Sequence, residues 1–174
     1  DNGVDKNIKL LAEAKNKKLS ELKACVLKRS RHDHIIKALT EMEVKINYIT
    51  DGDIAGALTV IGDNPANDIY YSTGGGPEGV IAAAALSCYG GQIQGRLVLD
   101  QEEVKRAKNL GITDFKKKYN IDDMVKGDVI FCATGVTTGD LAKGVEDLGN
   151  EFRVTTFALH RSHNIIKTCL LYTS

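Results

Sequence analysis

The chain has 174 residues, 43% of them hydrophobic, which suits one domain with a real core and is too apolar for a disordered segment. Lysine plus arginine and aspartate plus glutamate each total 23, so the formal net charge is zero, which argues against a nucleic-acid binder. No apolar run reaches the length of a membrane span, and the opening DNGVDKNIKL is too polar for a signal peptide.

In chain order, Asn7 to Lys15 has apolar residues at helical spacing, and LSEL follows with Asn16 or Ser20 available to cap. Ala24 to Leu27 reads as a short apolar strand that runs into Lys28, Arg29, Ser30 and Arg31. His34 to Met42 is helical, Val44 to Ile49 alternates as a strand, and Thr50-Asp51-Gly52-Asp53 follows. A short helix is expected over Ile54 to Ile61, then a strand over Asp68 to Ser72. STGGGPEG leads next into a helix from Pro77 to Tyr89, the proline suiting a first helical position where its missing N–H costs nothing. The second half repeats the rhythm less cleanly. Gln92 to Leu99 is a strand candidate, Glu102 to Leu110 a helix, Asp128 to Thr134 a strand, and a helix is expected from Leu141. Phe152 to His160 is the last strand, and Lys116 to Lys118 reads as a solvated face.

Short apolar strands alternating with helices predict an α/β protein with a largely parallel sheet. In such sheets the strand C-terminal ends share one edge, and ligands bind in the crevice outside it. Three successive strand ends carry polar sets: Arg29 and Arg31 beside Lys28, then Asp51 and Asp53 around Gly52, then Gly74 to Gly76 with Glu78. Each has an ordinary reading as well. The arginines suit a solvated turn, Asp53 suits a helix cap, and GGGP suits a tight turn. Together on one edge these readings need three coincidences, and the chemistry fits a ligand site. Arginine forks match phosphate oxygens, paired aspartates accept from sugar hydroxyls or collect cations, and a glycine loop lets backbone N–H groups approach an anion. Glu78 beside a phosphate would be repelled. A hard divalent cation, Mg²⁺ or Mn²⁺, between the two removes the conflict and gives Glu78 a role as metal ligand.

Competing motifs are weak. GGGPEG lacks the GxGxxG spacing, there is no GxxxxGK[ST], and the four histidines give no HExxH. His32 and His34 are read as capping or flanking the following helix. Cys25, Cys88, Cys132 and Cys169 stand far apart with no metal-ligand spacing and read as reduced core thiols of a cytoplasmic protein.

The runs VLKRSRHDHIIKAL, ITDGD, GGGPEGVIAAAALSCYGGQIQGRL and GDVIFCATGVTTGDL, in that order, resemble class II fructose-1,6-bisphosphatase over about residues 5–167. The resemblance implies metal-dependent hydrolysis of the 1-phosphate of fructose 1,6-bisphosphate to fructose 6-phosphate in gluconeogenesis, with Mn²⁺ or Mg²⁺. It implies the layered α/β/α sheet of the lithium-sensitive, metal-dependent sugar-phosphatase fold. Carried over residue by residue, Arg29, Ser30 and Arg31 match the substrate-binding arginine segment. Asp51, Gly52 and Asp53 match a substrate-binding DGD, Gly75 a substrate-contacting glycine, and Glu78 a metal ligand. Nothing here matches the family's N-terminal metal-ligand segment, so no catalytic residue is assigned. The chain is expected to be the C-terminal, substrate-binding portion, incomplete at its N-terminus, inactive alone and homo-oligomeric when intact. A sedoheptulose-1,7-bisphosphatase or inositol phosphatase relative stays open, as does a non-catalytic sugar-phosphate or nucleotide-binding module.

Both ends look cut. The first residue is Asp1, the first methionine is Met42, and the closing CLLYTS is similar to the translation of a transposase end sequence used as a sequencing adapter. The expected division is residues 1–167 as the natural α/β portion and 168–174 as a scar. An ordinary apolar C-terminal strand is the other reading.

Overall fold

The computed structural model describes residues 2–139, 141–162 and, for their backbone, 165–173. Its first half is a three-stranded parallel sheet in the order β2-β1-β3, built from β1 (Lys23–Leu27), β2 (Lys45–Ile49) and β3 (Ile69–Tyr71). Ala24 lies beside Ile46 and Ile69, and Cys25 beside Asn47 and Tyr70, so alternate residues face opposite layers. On one face, α1 (Val4–Lys15) and α2 (Asp33–Glu41) bury Ile8, Ala12, Ile35 and Leu39 against Ala24 and Val26. On the other face lie α3 (Asp53–Leu58) and α4 (Gly76–Ser87), which pack on each other. The central strand β1 is apolar from Ala24 to Leu27 because both its faces are covered.

The back of α4 packs against a second sheet. Ala83, Ala85, Leu86 and Cys88 share a core with Leu58, Ile121, Val129, Phe131 and Leu159. α4 packs between α3 and this second sheet through small side chains that allow close approach, while Val80 and Ile81 on it stay exposed. The second sheet is antiparallel: β8 (Phe152–Ser162) pairs with β6 (Val129–Thr134), with the two-residue β7 (Glu146–Asp147) and with β9 (Ile165–Thr173). The expectation of a largely parallel sheet therefore holds for the first half and fails for the second. No helix intervenes between β6 and β8 there, so the chain returns by a hairpin-like path and the strands run antiparallel.

Three smaller expectations are corrected. The strand over Gln92 to Leu99 shrinks to β4 (Gln94–Gly95), a short antiparallel pairing with β5 (Tyr119–Asn120). The helix from Leu141 is absent. Gly139 N–H donates to the Ala142 carbonyl, Gly144 N–H to Thr138 Oγ1 and Val145 N–H to the Val136 carbonyl, which uses as a folded loop the backbone groups a helix would need. Cys25 and Cys88 are buried, but Cys132 is exposed on β6; the side chain of Cys169 lies outside the described residues. Between β4 and β5 runs α5 (Gln101–Asn109). It begins with a reciprocal cap: Glu103 N–H donates to Asp100 Oδ1, and Asp100 N–H to Glu103 Oε2. A last short helix, α6 (Ile121–Met124), puts Ile121 into the second core. No helix among the described residues is long and apolar enough to cross a membrane.

Candidate functional site

The three expected strand ends do meet at one edge, and the loop after β3 is where they join. Beyond Leu27 the chain makes a short 3-10 turn over Ser30–His32 before entering α2. The Arg31 guanidinium folds across to this loop, and its Nε and Nη2 both donate to the Thr73 carbonyl, Nε at 2.8 Å. His32 follows it inward and is fully buried. Its Nδ1 lies 2.6 Å from the Leu27 carbonyl, while its Nε2 accepts the Thr73 N–H at 2.9 Å. A carbonyl on one ring nitrogen and an N–H on the other specify the neutral tautomer with hydrogen on Nδ1.

At the end of β2 the backbone turns through Gly52, whose φ of +84° favours glycine. Asp51 is exposed, and its Oδ1 accepts the Gly52 N–H at 2.8 Å. Asp53 opens α3 and points back over the sheet. Its Oδ1 accepts from the Tyr70 hydroxyl at 2.7 Å and from Ser72 Oγ at 2.5 Å. Burial first, and then the Asp53 carboxylate, push the Tyr70 hydroxyl well above the usual tyrosine range. The other carboxylate oxygen, Oδ2, lies against Gly74, where an added Cβ would stand only 2.8 Å away. Asp53 thus ties the start of α3 to the end of β3.

Gly75 is the residue that precedes α4, and Pro77 sits in the first turn of the helix, as its N–H-less ring permits. The Glu78 carboxylate folds back over Gly75, and any side chain at Gly75 would overlap Oε2. There it faces the first, unpaired amides of the helix, a favourable position for a negative charge. The carboxylate at the mouth of the glycine loop is therefore compatible with the helix on its own account, and Glu78 is exposed.

Of the expected residues, Arg31, Asp53, Gly75 and Glu78 belong to this connected set around residues 72–78. Arg29, Ser30, Asp51 and Gly52 lie exposed at the same edge. Arg29 donates to the carbonyl of its neighbour Lys28. A separate groove lined by Asn47, Tyr48, Ala55, Thr59, Asn64 and Asn67 contains none of the expected site residues. Among the described residues, no three of His, Cys, Asp and Glu gather as a cation site, so Glu78 stands as a single carboxylate donor. Sequence reasoning missed His32, Tyr70, Ser72 and Thr73. Tyr70 and Ser72 had a signal, since residues two apart at a strand end share a face. His32 had none, because its partner Thr73 is 41 residues away.

The model of the family described as bacterial fructose-1,6-bisphosphatase, glpX-encoded, matches residues 1–171. A Synechococcus sp. (strain JA-2-3B'a(2-13)) protein named D-fructose 1,6-bisphosphatase class 2/sedoheptulose 1,7-bisphosphatase is 34% identical over 177 residues, 94% of this chain and 51% of its own length. The Haemophilus influenzae protein named fructose-1,6-bisphosphatase class 2 is 33% identical over 179 residues, 94% of this chain and 54% of its own. An Acaryochloris marina protein with the double name, numbered 2, is 34% identical over 167 residues, 88% of this chain and 48% of its own. The chain spans about half the length of these curated relatives.

Proposed function

The chain belongs to the glpX-encoded bacterial fructose-1,6-bisphosphatase family, and on that premise we propose that it is the substrate-binding portion of a metal-dependent sugar bisphosphatase. The reaction is hydrolysis of the 1-phosphate of fructose 1,6-bisphosphate to fructose 6-phosphate. The names of the cyanobacterial relatives extend the substrate class to sedoheptulose 1,7-bisphosphate. The observation that carries the reading is the convergence of three strand-end loops on residues 72–78 at one sheet edge. The finer fold is the layered sugar-phosphatase arrangement, supported by the order of layers: α1 and α2, the parallel sheet, α3 and α4, then the antiparallel sheet.

Arg29, Ser30 and the donors of Arg31 not spent on Thr73 grip a phosphate, as guanidinium forks do. Asp51 accepts from sugar hydroxyls, with Gly52 giving the substrate close access to the backbone. Asp53 has one oxygen engaged by Tyr70 and Ser72, and contributes through the other. Gly75 and the first amides of α4 receive an anion. Glu78 fits one ligand of a Mn²⁺ or Mg²⁺ ion, and the remaining ligands come from the half of the relatives' length that this chain does not span. Such a cation, when bound, polarises the phosphate and lowers the barrier to attack by water. One carboxylate would hold it loosely, because hard cations need several protein oxygens or keep most of their water.

Two measurements test the reading. In an amide-resolved titration, fructose 1,6-bisphosphate is expected to shift residues 73–79 and the Ser30–His32 turn; a titration that leaves both unmoved would refute it. Phosphate release from the same substrate with excess Mn²⁺ is expected to stay at background, equal to a Glu78→Ala chain. Turnover that disappears in Glu78→Ala would show instead that Asp51, Asp53 and Glu78 form a complete metal site.

A further inference from the structure

We propose that His32, which no sequence motif assigns, is a positioning residue for the glycine loop, and that Arg31 shares that role. The proposal rests on the reading of the loop as the place where a sugar phosphate binds. The two peptide groups that flank the Thr73 Cα are each held from the Ser30–His32 turn. The N–H of one is accepted by His32 Nε2 at 2.9 Å, and the carbonyl of the other takes two hydrogen bonds from Arg31. Fixing both peptides fixes φ and ψ of Thr73, and so sets the direction in which Gly74 and Gly75 leave the sheet. Glycine is the residue most in need of such control, since its own backbone prefers no single direction.

The anchor itself is rigid. His32 is fully buried, and its Nδ1–H is tied to Leu27, the last residue of the central strand β1. The ring therefore transmits the position of β1 to a loop that leaves β3. From the opposite side the Asp53 carboxylate holds Ser72 and abuts Gly74. The loop is thus shaped before ligand arrives, and binding need not pay the entropy of ordering two glycines. Arg31 links ligand and loop, because its remaining donors are free to meet the same phosphate.

Two isosteric substitutions separate the ring's two hydrogen bonds. His32→Gln presents an amide oxygen near the Nε2 position and keeps an acceptor for Thr73. His32→Asn presents an amide N–H near the Nδ1 position and keeps a donor for Leu27, but loses Thr73. The whole chain is used, with amide hydrogen exchange at residues 73–76 and the Kd for fructose 1,6-bisphosphate as readouts, and thermal melts as a control. In His32→Asn, exchange at Thr73 is expected to be about tenfold faster and the Kd about tenfold weaker, one hydrogen bond's worth. In His32→Gln, both stay within about threefold of the parent, at similar melting temperature. If both variants lose binding in proportion to their melting temperature, His32 merely fills the core and the inference fails. If His32→Asn does not fold, His32→Gln decides: a folded Gln chain with an unprotected Thr73 overturns the inference, and a protected one with parental Kd upholds it. If the parent chain binds no bisphosphate, the functional reading fails, and exchange at Thr73 alone then upholds or overturns the positioning role.

Discussion

The parallel half of the molecule, from α1 to α4, and the antiparallel half, from β4 to β9, solve the same problem differently. In the first, β1 is buried on both faces, and side chains from distant segments tie both ends of the sheet: Arg31 and His32 to Thr73 and Asp53 to Ser72 at the strand C-terminal ends, and Asp68 to Lys15 and Lys17 at the other. In the second, β6 and β8 pack one face inward through Val129, Phe131 and Leu159, while Ile130 is 75% exposed on the other. One half is a doubly covered frame with fixed ends. The other is a lid of strands closing the back of α4. A site that must hold backbone amides in place belongs on the frame, and that is where every candidate residue lies.

The largest expected effect comes from overfilling the frame. Gly56 lets α3 lie directly on the sheet; a Cβ there would stand 2.5 Å from Ile49 Cδ1 and 2.8 Å from the Tyr70 ring. Gly56→Val is expected to destabilise by about 3 kcal/mol, lowering the melting temperature by roughly 6–12 °C. It also displaces Asp53 from Tyr70 and Ser72. Gly95→Val, in the short β4 with nothing within 4 Å of an added Cβ, is expected to stay within about 0.5 kcal/mol. Equal melting temperatures for the two variants would show that α3 does not need Gly56 to lie on the sheet.

A smaller and pH-dependent effect belongs to Asp68. Its carboxylate is only 5% exposed, with Lys15 and Lys17 on Oδ1 at 2.7 and 2.9 Å and the Lys23 N–H on Oδ2 at 2.8 Å. Burial alone would raise its pKa, but the two lysines and the backbone N–H outweigh it and hold the group at about 2. A depressed carboxylate stabilises the fold above its unfolded pKa near 4, and that stability is lost as pH falls towards 2. Urea unfolding from pH 6 to pH 2 is expected to cost the parent chain about 2 kcal/mol more than Asp68→Asn over this window. In the other half, Asp123 also has its pKa lowered, by the Asn120 N–H and then Lys117, but the pair is solvent-exposed. Asp123→Asn is expected to leave the pH profile unchanged. Parallel profiles for the parent chain and Asp68→Asn would remove Asp68 from the ties that hold the frame.

The frame was legible in the sequence because its signals are local. Apolar strands of four to six residues, polar strand ends and Pro77 at a helix start each speak within a few positions, and the helices and strands up to α4 form close to where the pattern puts them. The lid was less legible. GVTTGD looked like a turn before a helix, yet its backbone groups are used up by the fold-back around Thr138 and Val145. A parallel sheet was expected there because strand patterns do not record direction, which the connection decides. At the site, residue types at the strand ends were readable, but the division of labour was not. That Asp53 spends an oxygen on Tyr70 and Ser72, and that a histidine read as a helix flank is a buried link, depends on contacts between segments far apart in the chain.

The smallest expected effect concerns the outer edge of the lid. If residues 168–174 are an adapter scar, selection never fitted them to the fold. They are nevertheless apolar, and β9 carries the backbone as far as Thr173 along β8, with Cys169 beside Ala158 and Leu171 beside Thr156. An added edge strand of this kind needs only a free row of amides and carbonyls, not a matched sequence. On its other edge β8 is already paired with β6 from Thr156 to Arg161, and Leu159 anchors it in the core. A chain ending at Lys167 keeps those contacts and also the pairing of Ile165 to Lys167 with His160 to Ser162. Its melting temperature is expected to fall by less than about 4 °C, roughly 1 kcal/mol for a domain of this size. A larger fall would make the tail part of the lid and narrow the contrast in stability between the two halves.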